Sequence, residues 1–151
     1  MLNIFILFSL ASSEFLSIKT PSEHQVISNL TLIPNLSQSV GSNCGDTHIY
    51  QIYGVYIYPW PPQGLGTVAT IYIDGVFIQG TFVQEIVFGT CYNSMFWEYN
   101  PTDVNQNYAT GQQAMFTINQ QFPSQPGSYV SNIQLSAGFH ICCWQFSYIV
   151  S

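Results

Sequence analysis

From Gly66 onward the chain is written in a period of two. Val68, Thr70 and Tyr72 alternate with Ala69, Ile71 and Ile73 between Gly66 and Phe77, with apolar residues on both faces, and Thr81 to Phe88 is similarly β-branched and aromatic. Both runs predict central strands. Gly75, Gly80 and Gly89 punctuate them, and none of these glycines is flanked by helix-cap chemistry. Upstream, Tyr and Ile recur from Ile49 to Tyr58 too densely for a solvated loop. Pro59, Pro61, Pro62 and Gly64 then forbid continuing either a helix or a central ladder. That stretch predicts a strand with an abrupt exit.

Further strands are expected over Tyr92–Tyr99, Gln112–Phe122, Tyr129–Leu135 and Phe139–Val150. In the second of these Ala114, Phe116 and Ile118 oppose Met115 and Thr117, and in the third Tyr129, Ser131, Ile133 and Leu135 oppose Val130, Asn132 and Gln134. Asn100 to Thr110 is polar, Asn-rich and led by Pro101, and it reads as a surface loop. Short strands at this spacing, with no helical period and no βαβ rhythm, predict an all-β, immunoglobulin-like antiparallel sandwich of two sheets.

The first residues are of a different kind. Met1 to Ser13 holds an apolar run, Leu2 to Leu10, broken only by Asn3 and Ser9 and ending in Ala11, Ser12 and Ser13. It reads as a signal peptide without a basic amino-terminal side chain, the alternative being a buried strand or helix. The run is far below the ~20 residues a membrane-spanning helix needs. Glu14 to Asn43 is Ser-rich and lacks sustained alternation, as expected of a linker or pro-segment; an edge strand from Val26 to Ile33 is the alternative. Its two sequons, at Asn29 and Asn35, are glycosylation candidates in a secreted chain.

Composition narrows the function. The 151 residues fit one domain, and 47% hydrophobic with 16% aromatic content supplies a core. Charged residues are 5%, against roughly 25% in an average soluble domain. The formal charge of −6 includes no Lys or Arg after Lys19, which leaves nothing to displace counterions from phosphate and argues against nucleic acid as a partner. Electrostatic docking on an anionic membrane is disfavoured for the same reason.

Catalytic chemistry finds little support. No serine is framed as G-x-S-x-G, Glu85 and Glu98 read as strand-face or rim carboxylates, and His24, His48 and His140 are scattered without the spacing of a metal site. The expectation is a protein that is not an enzyme and that needs no metal or cofactor.

Four separated motifs carry a family resemblance. They are Cys44-Gly45 with His48 four residues after the cysteine, the Pro59, Pro61 and Pro62 exit that runs on to Gly66, Pro126-Gly127-Ser128-Tyr129, and Cys143-Trp144 before the final alternating run. In this order they resemble the ML lipid-recognition domain. That family includes phosphatidylglycerol/phosphatidylinositol transfer proteins and the Niemann-Pick sterol carrier. The resemblance covers roughly Cys44 to Ser151. It implies a lipid-binding sandwich over residues 44–151, with phospholipid or sterol held between the sheets, donor and acceptor membranes as transient partners, and a secreted or endosomal/lysosomal location.

It also implies a disulfide between Cys44 and Cys143, tying the first strand to the last. Cys142 then points to the opposite face, either paired with Cys91 or free as Cys91 would be. ML proteins usually carry a further cysteine pair around the middle loop, where this chain has Cys91 alone. The expected lining of the lipid slot is Phe82, Ile86, Phe88, Phe96, Trp97, Phe116, Trp144, Phe146 and Tyr148. A recognition or adhesion sandwich with a solid core, using its aromatic surface on a protein or glycan, is the alternative.

Overall fold

The computed structural model describes residues 38–46 and 48–151. The expected signal peptide, the sequons at Asn29 and Asn35, the possible strand at Val26–Ile33 and most of the 14–43 segment lie outside the described residues. Eight strands follow: β1 (Ser42–Asp46), β2 (Tyr50–Tyr58), β3 (Val68–Phe77), β4 (Thr81–Tyr92), β5 (Phe96–Tyr108), β6 (Gln113–Gln121), β7 (Gly127–Ser136) and β8 (His140–Val150). They form two antiparallel sheets, one of five strands in the order β1-β8-β7-β4-β5 and one of three in the order β2-β3-β6. The expected all-β sandwich is what the chain builds, and β3 and β4 are interior strands.

Alternation explains which side chains meet between the sheets. Ala69, Ile71, Ile73 and Phe77 of β3 are buried, as are Phe116 and Ile118 of β6. Against them stand Ile86 and Phe88 of β4, Tyr129, Ile133 and Leu135 of β7, and Cys142, Phe146, Tyr148 and Val150 of β8. In β2 the alternation slips at a bulge between Ile52 and Gly54, so that Tyr50 and Ile52 before it and Val55 and Ile57 after it all reach the core.

Gly75 and Gly89 lie inside β3 and β4 and do not punctuate them. Each is a close approach. A Cβ at Gly75 would run into the Gln51 carbonyl and the Tyr50 ring, and one at Gly89 into Asn132 Oδ1 and the Tyr99 ring.

Two expectations about the middle of the chain are corrected. Tyr92–Tyr99 is not one strand: β4 ends at Tyr92, a turn occupies Asn93–Met95, and β5 starts at Phe96. The segment read as a loop, Asn100 to Thr110, is strand as far as Tyr108. β5 is the outer strand of its sheet and is exposed along nearly its whole length, so no buried face imposes alternation on it. Pro101 is tolerated because β5 pairs only with β4.

The sandwich also begins upstream of Cys44. The Val40 amide donates to the Val55 carbonyl at 2.8 Å, and the Val55 amide donates to Ser39 Oγ at 3.0 Å, before the chain crosses to pair as β1 with β8. Val40 packs against the core, so the expected boundary at residue 43 divides a strap that belongs to the fold.

Candidate functional site

The two sheets meet differently along their two long edges. On the β1 side, the strap at Ser39–Val40 bonds to β2 of one sheet, and Trp144 Nε1 of the other sheet donates to the Val40 carbonyl at 2.7 Å. Cys44 and Cys143 are joined as a disulfide, with Cα atoms 5.0 Å apart, fastening β1 to β8. This edge is stitched.

On the other side, β5 and β6 are the outer strands of different sheets and no ladder joins them. They are held only at one end, by the turn between Tyr108 and Gln113. There Tyr108 stacks on Phe77 with ring centroids 4.4 Å apart and planes within 15°, and it meets Phe116 edge-on at 5.5 Å. The Gly111 amide donates to the Phe77 carbonyl, and the Phe77 amide donates to the Gln112 carbonyl. Away from that clamp the strands diverge.

The divergence opens a cleft of about 800 Å³. One wall is the start of β5, with Phe96, Glu98 and Asn100 on the side that faces inward and Trp97 at the rim. The opposite wall is the end of β6 and the following loop, Asn119 to Gln125, and the floor is Thr90, Tyr92, Phe122 and Tyr129. An aromatic floor under an amide-rich rim is the result.

Below the floor the aromatic groups continue inward. Phe122 meets Tyr148 edge-on at 4.9 Å, Tyr129 stacks on Tyr148 at 5.6 Å, and Phe146 lies 6.2 Å from Phe88. Trp60, carried on the proline-rich exit of β2, closes this cluster against Phe122, Phe146 and Tyr148. A second cleft, of about 680 Å³, lies between Trp60 and the strap at Gln38–Gly41.

The polar groups within the cluster are satisfied by one another. Tyr148 Oη lies 3.1 Å from Ser131 Oγ, which lies 3.1 Å from Thr90 Oγ1, and the Tyr129 hydroxyl donates to the Gln125 carbonyl at 2.9 Å. Burial pushes the Tyr129 and Tyr148 hydroxyls above the usual tyrosine range, so both stay neutral and protonated at neutral pH. Among the described residues no group of three or more His, Cys, Asp or Glu side chains is placed to hold a metal ion.

The nine residues expected to line a slot divide into three sets. Ile86, Phe88, Phe116, Phe146 and Tyr148 are brought together between the sheets, packed within the core. Trp144 is half-buried against that core under the strap, its indole N–H bound to Val40. Phe82, Phe96 and Trp97 are exposed: Phe96 stands on a cleft wall, and Trp97, paired in register with Cys91, lies on the outer face of the sheet. Phe82 neighbours the buried Val83 on β4 and therefore faces away from the interior.

Cys91 and Cys142 are both buried and unbonded. Cys142 faces the core and Cys91 the outer side of the sheet, so strand alternation keeps them from pairing.

Sequence reasoning missed Trp60, Phe122, Tyr92 and Tyr129 as site residues. The cue for Trp60 is its position between prolines that end β2, which places a large apolar side chain at the end of the sandwich. Phe122 ends the alternating run of Ala114, Phe116, Ile118 and Gln120, and its place on the same face follows from that phase.

No protein-family model matches this chain. No curated protein matches it either. Among solved structures, the crystal structure of a Niemann-Pick type C2 protein from Japanese carpenter ant is similar to it, with a TM-score of 0.52 over 74% of this chain and 99% of that one. The two are 9% identical, so the likeness is one of fold: this chain shares the two-sheet architecture of that Niemann-Pick type C2 protein.

Proposed function

We propose that the chain is a lipid carrier of the secretory or endosomal/lysosomal space, taking up a phospholipid or sterol between its sheets and handing it between membranes. The observation that carries this reading is the inequality of the two sheet edges. One edge is fastened by the strap and the Trp144 bond, while the other is open at the Phe96 end and underlain by aromatic side chains.

Opening therefore has a direction. Separating β5 from β6 breaks no ladder, whereas separating the strapped edge breaks either the strap's bonds to β2 or the Trp144 bond to Val40. An acyl chain or sterol ring entering from the open side displaces the contacts among Phe88, Phe122, Phe146 and Tyr148 and leaves water, gaining ~0.8 kcal/mol per buried methylene. The polar head stays among Asn119, Gln120, Gln121 and Gln125 at the rim. No covalent step is involved, and we read the protein as a carrier and not an enzyme. The disulfide and the motifs shared with ML domains support the same reading and the same compartments.

The test is uptake from vesicles. After incubation with phosphatidylcholine or cholesterol vesicles and re-isolation, native mass spectrometry of the full chain should show a mass increase of one lipid. Phe96→Ser, on the exposed cleft wall, should lower uptake without changing the melting temperature; Phe139→Ser, exposed elsewhere, should not. A wild-type protein that emerges lipid-free from both vesicle types is not a carrier of either class.

A further inference from the structure

We propose that the outer face of the five-stranded sheet is a binding platform for a neutral glycan, a short chain of uncharged sugars. The proposal does not depend on the lipid reading: it concerns the face turned away from the core, where Trp97 also borders the cleft and Tyr99 does not line it. Its centre is Trp97 and Tyr99, two same-side residues of β5 whose rings are parallel within 12° with centroids 5.9 Å apart. They are 41% and 51% exposed.

The rings reach across the sheet. A Cβ at Gly89, the residue paired with Tyr99, would meet the Tyr99 ring 2.8 Å away at Cε1, so that ring covers the glycine backbone of β4. Trp97, parallel to Tyr99, is paired with Cys91. Gly89 and Cys91 are both buried although they belong to the outer face, as expected if the two rings form its roof. An aromatic pair held this way is a preformed ledge with little rotamer freedom left to lose on binding.

Beside the ledge the sheet presents neutral hydrogen-bonding groups. Asn132 follows Gly89 in register and Gln145 follows Asn132. Asn132 is 7% exposed and its Oδ1 is buried without a partner, so Gln145, which is exposed, is the amide of this row that offers an acceptor at the surface. The register rows through Trp97 and Tyr99 contain no carboxylate, and the described residues contain no Lys or Arg.

Those features select a ligand class. A sugar ring has an apolar C–H face that lies flat on an aromatic ring and equatorial hydroxyls that donate to and accept from amides. An acidic glycan, a phosphate or a nucleic acid finds no cation here. A partner strand adding to the β5 edge meets Pro101, which lacks an amide hydrogen, and Asn105 at φ 50°, both of which interrupt a regular ladder.

The experiment titrates the full chain with uncharged hexose and N-acetylhexosamine oligomers, read by calorimetry and by saturation-transfer NMR. At least one oligomer should bind saturably with transfer to the Trp97 indole, and Trp97→Ala or Tyr99→Ala should weaken it by roughly tenfold or more. Trp97→Phe, which keeps a flat ring, should retain part of the affinity. Circular dichroism and melting temperature control for folding. If the alanine variants unfold, the wild-type transfer pattern decides alone, since saturation of core rings in place of Trp97 and Tyr99 overturns the proposal.

A parallel arm uses vesicles carrying a neutral glycolipid. Binding there but not to free oligomers keeps the platform and makes the sugar a lipid headgroup. Tyr99→Ala should lose the sugar while lipid uptake from phosphatidylcholine vesicles is unchanged, which separates this proposal from the carrier reading. The platform is wrong if no neutral oligomer or glycolipid binds at millimolar concentration, if binding survives both alanine substitutions, or if only acidic sugars bind.

Discussion

Trp144 Nε1 and the Val40 carbonyl, 104 residues apart in sequence, are joined by a 2.7 Å hydrogen bond that ties the last strand of one sheet to the strap bonded to the other. The sequence reading places Trp144 in the lining of a slot, and the structure makes it a fastening. Trp144→Phe keeps most of the apolar contact and removes the donor, which leaves the Val40 carbonyl to find water. The expected loss is about 1 kcal/mol, with faster hydrogen exchange at the Val40 and Val55 amides than elsewhere in the core. Exchange that rises evenly over the whole domain would mean the bond holds no particular edge.

The disulfide between Cys44 and Cys143 closes a loop with a sequence separation of 99. Chain entropy assigns such a loop about 4 to 5 kcal/mol, a large part of the stability of an ordinary domain. Replacing both cysteines with alanine should lower the denaturation midpoint accordingly. Urea titrations of the oxidised protein and the double variant, at equal m-value, measure the difference.

Gly89→Ala tests the contact between the outer-face ring and the sheet. The added methyl meets Asn132 Oδ1 and the Tyr99 ring at once, and β4 is paired on both sides, so relief by backbone movement is restricted. A destabilisation of about 1 to 3 kcal/mol is expected. Gly89→Ala combined with Tyr99→Ala should recover part of it, as thermal melts of the single and double variants will register.

Alkali should unfold the domain earlier than an average sandwich. Burial raises Tyr50, Tyr108, Tyr129 and Tyr148 above the ordinary tyrosine value and pushes the Cys142 thiol up to about 12. A group raised on folding contributes stability that is whole below its unfolded pKa and is lost as pH climbs toward the folded one. The loss should start near pH 9 with Cys142 and steepen above about pH 10 as the tyrosines join. Denaturant midpoints at stepped pH give the profile; Cys142→Ala should remove the first part and leave the second.

How far this was legible from sequence depends on whether a strand has a buried face. β3, β6, β7 and β8 each put one side against the core, and their alternation located them and their inward residues, down to Ser131 among Tyr129, Ile133 and Leu135. β5 has no such face and from Asn100 onward mimicked a loop, so of the cleft wall Phe96 was named as lining while Glu98 and Asn100 were not. The bulge at Ile52–Gly54 and the internal positions of Gly75 and Gly89 were hidden for a related reason, because they answer to neighbours distant in sequence. The Cys44–Cys143 link came through family resemblance. Trp97 and Phe82 were assigned inward on aromatic character alone, which does not distinguish a core ring from one lying on a surface.

The pairing of β1 with β8 has a consequence for biosynthesis. β1, the first of the described strands, can join its sheet only when β8, the last of them, has emerged, and at 5 to 20 residues per second the intervening 99 residues take roughly 5 to 20 seconds. Throughout that interval Cys44 lacks its native partner, and Cys91 is made before either Cys142 or Cys143. The nascent chain therefore passes through a window in which its first possible oxidation product is the wrong one. Burial of Cys91 as β4 pairs with β5 and β7 would prevent that product, and once formed it is resolved only by thiol–disulfide exchange.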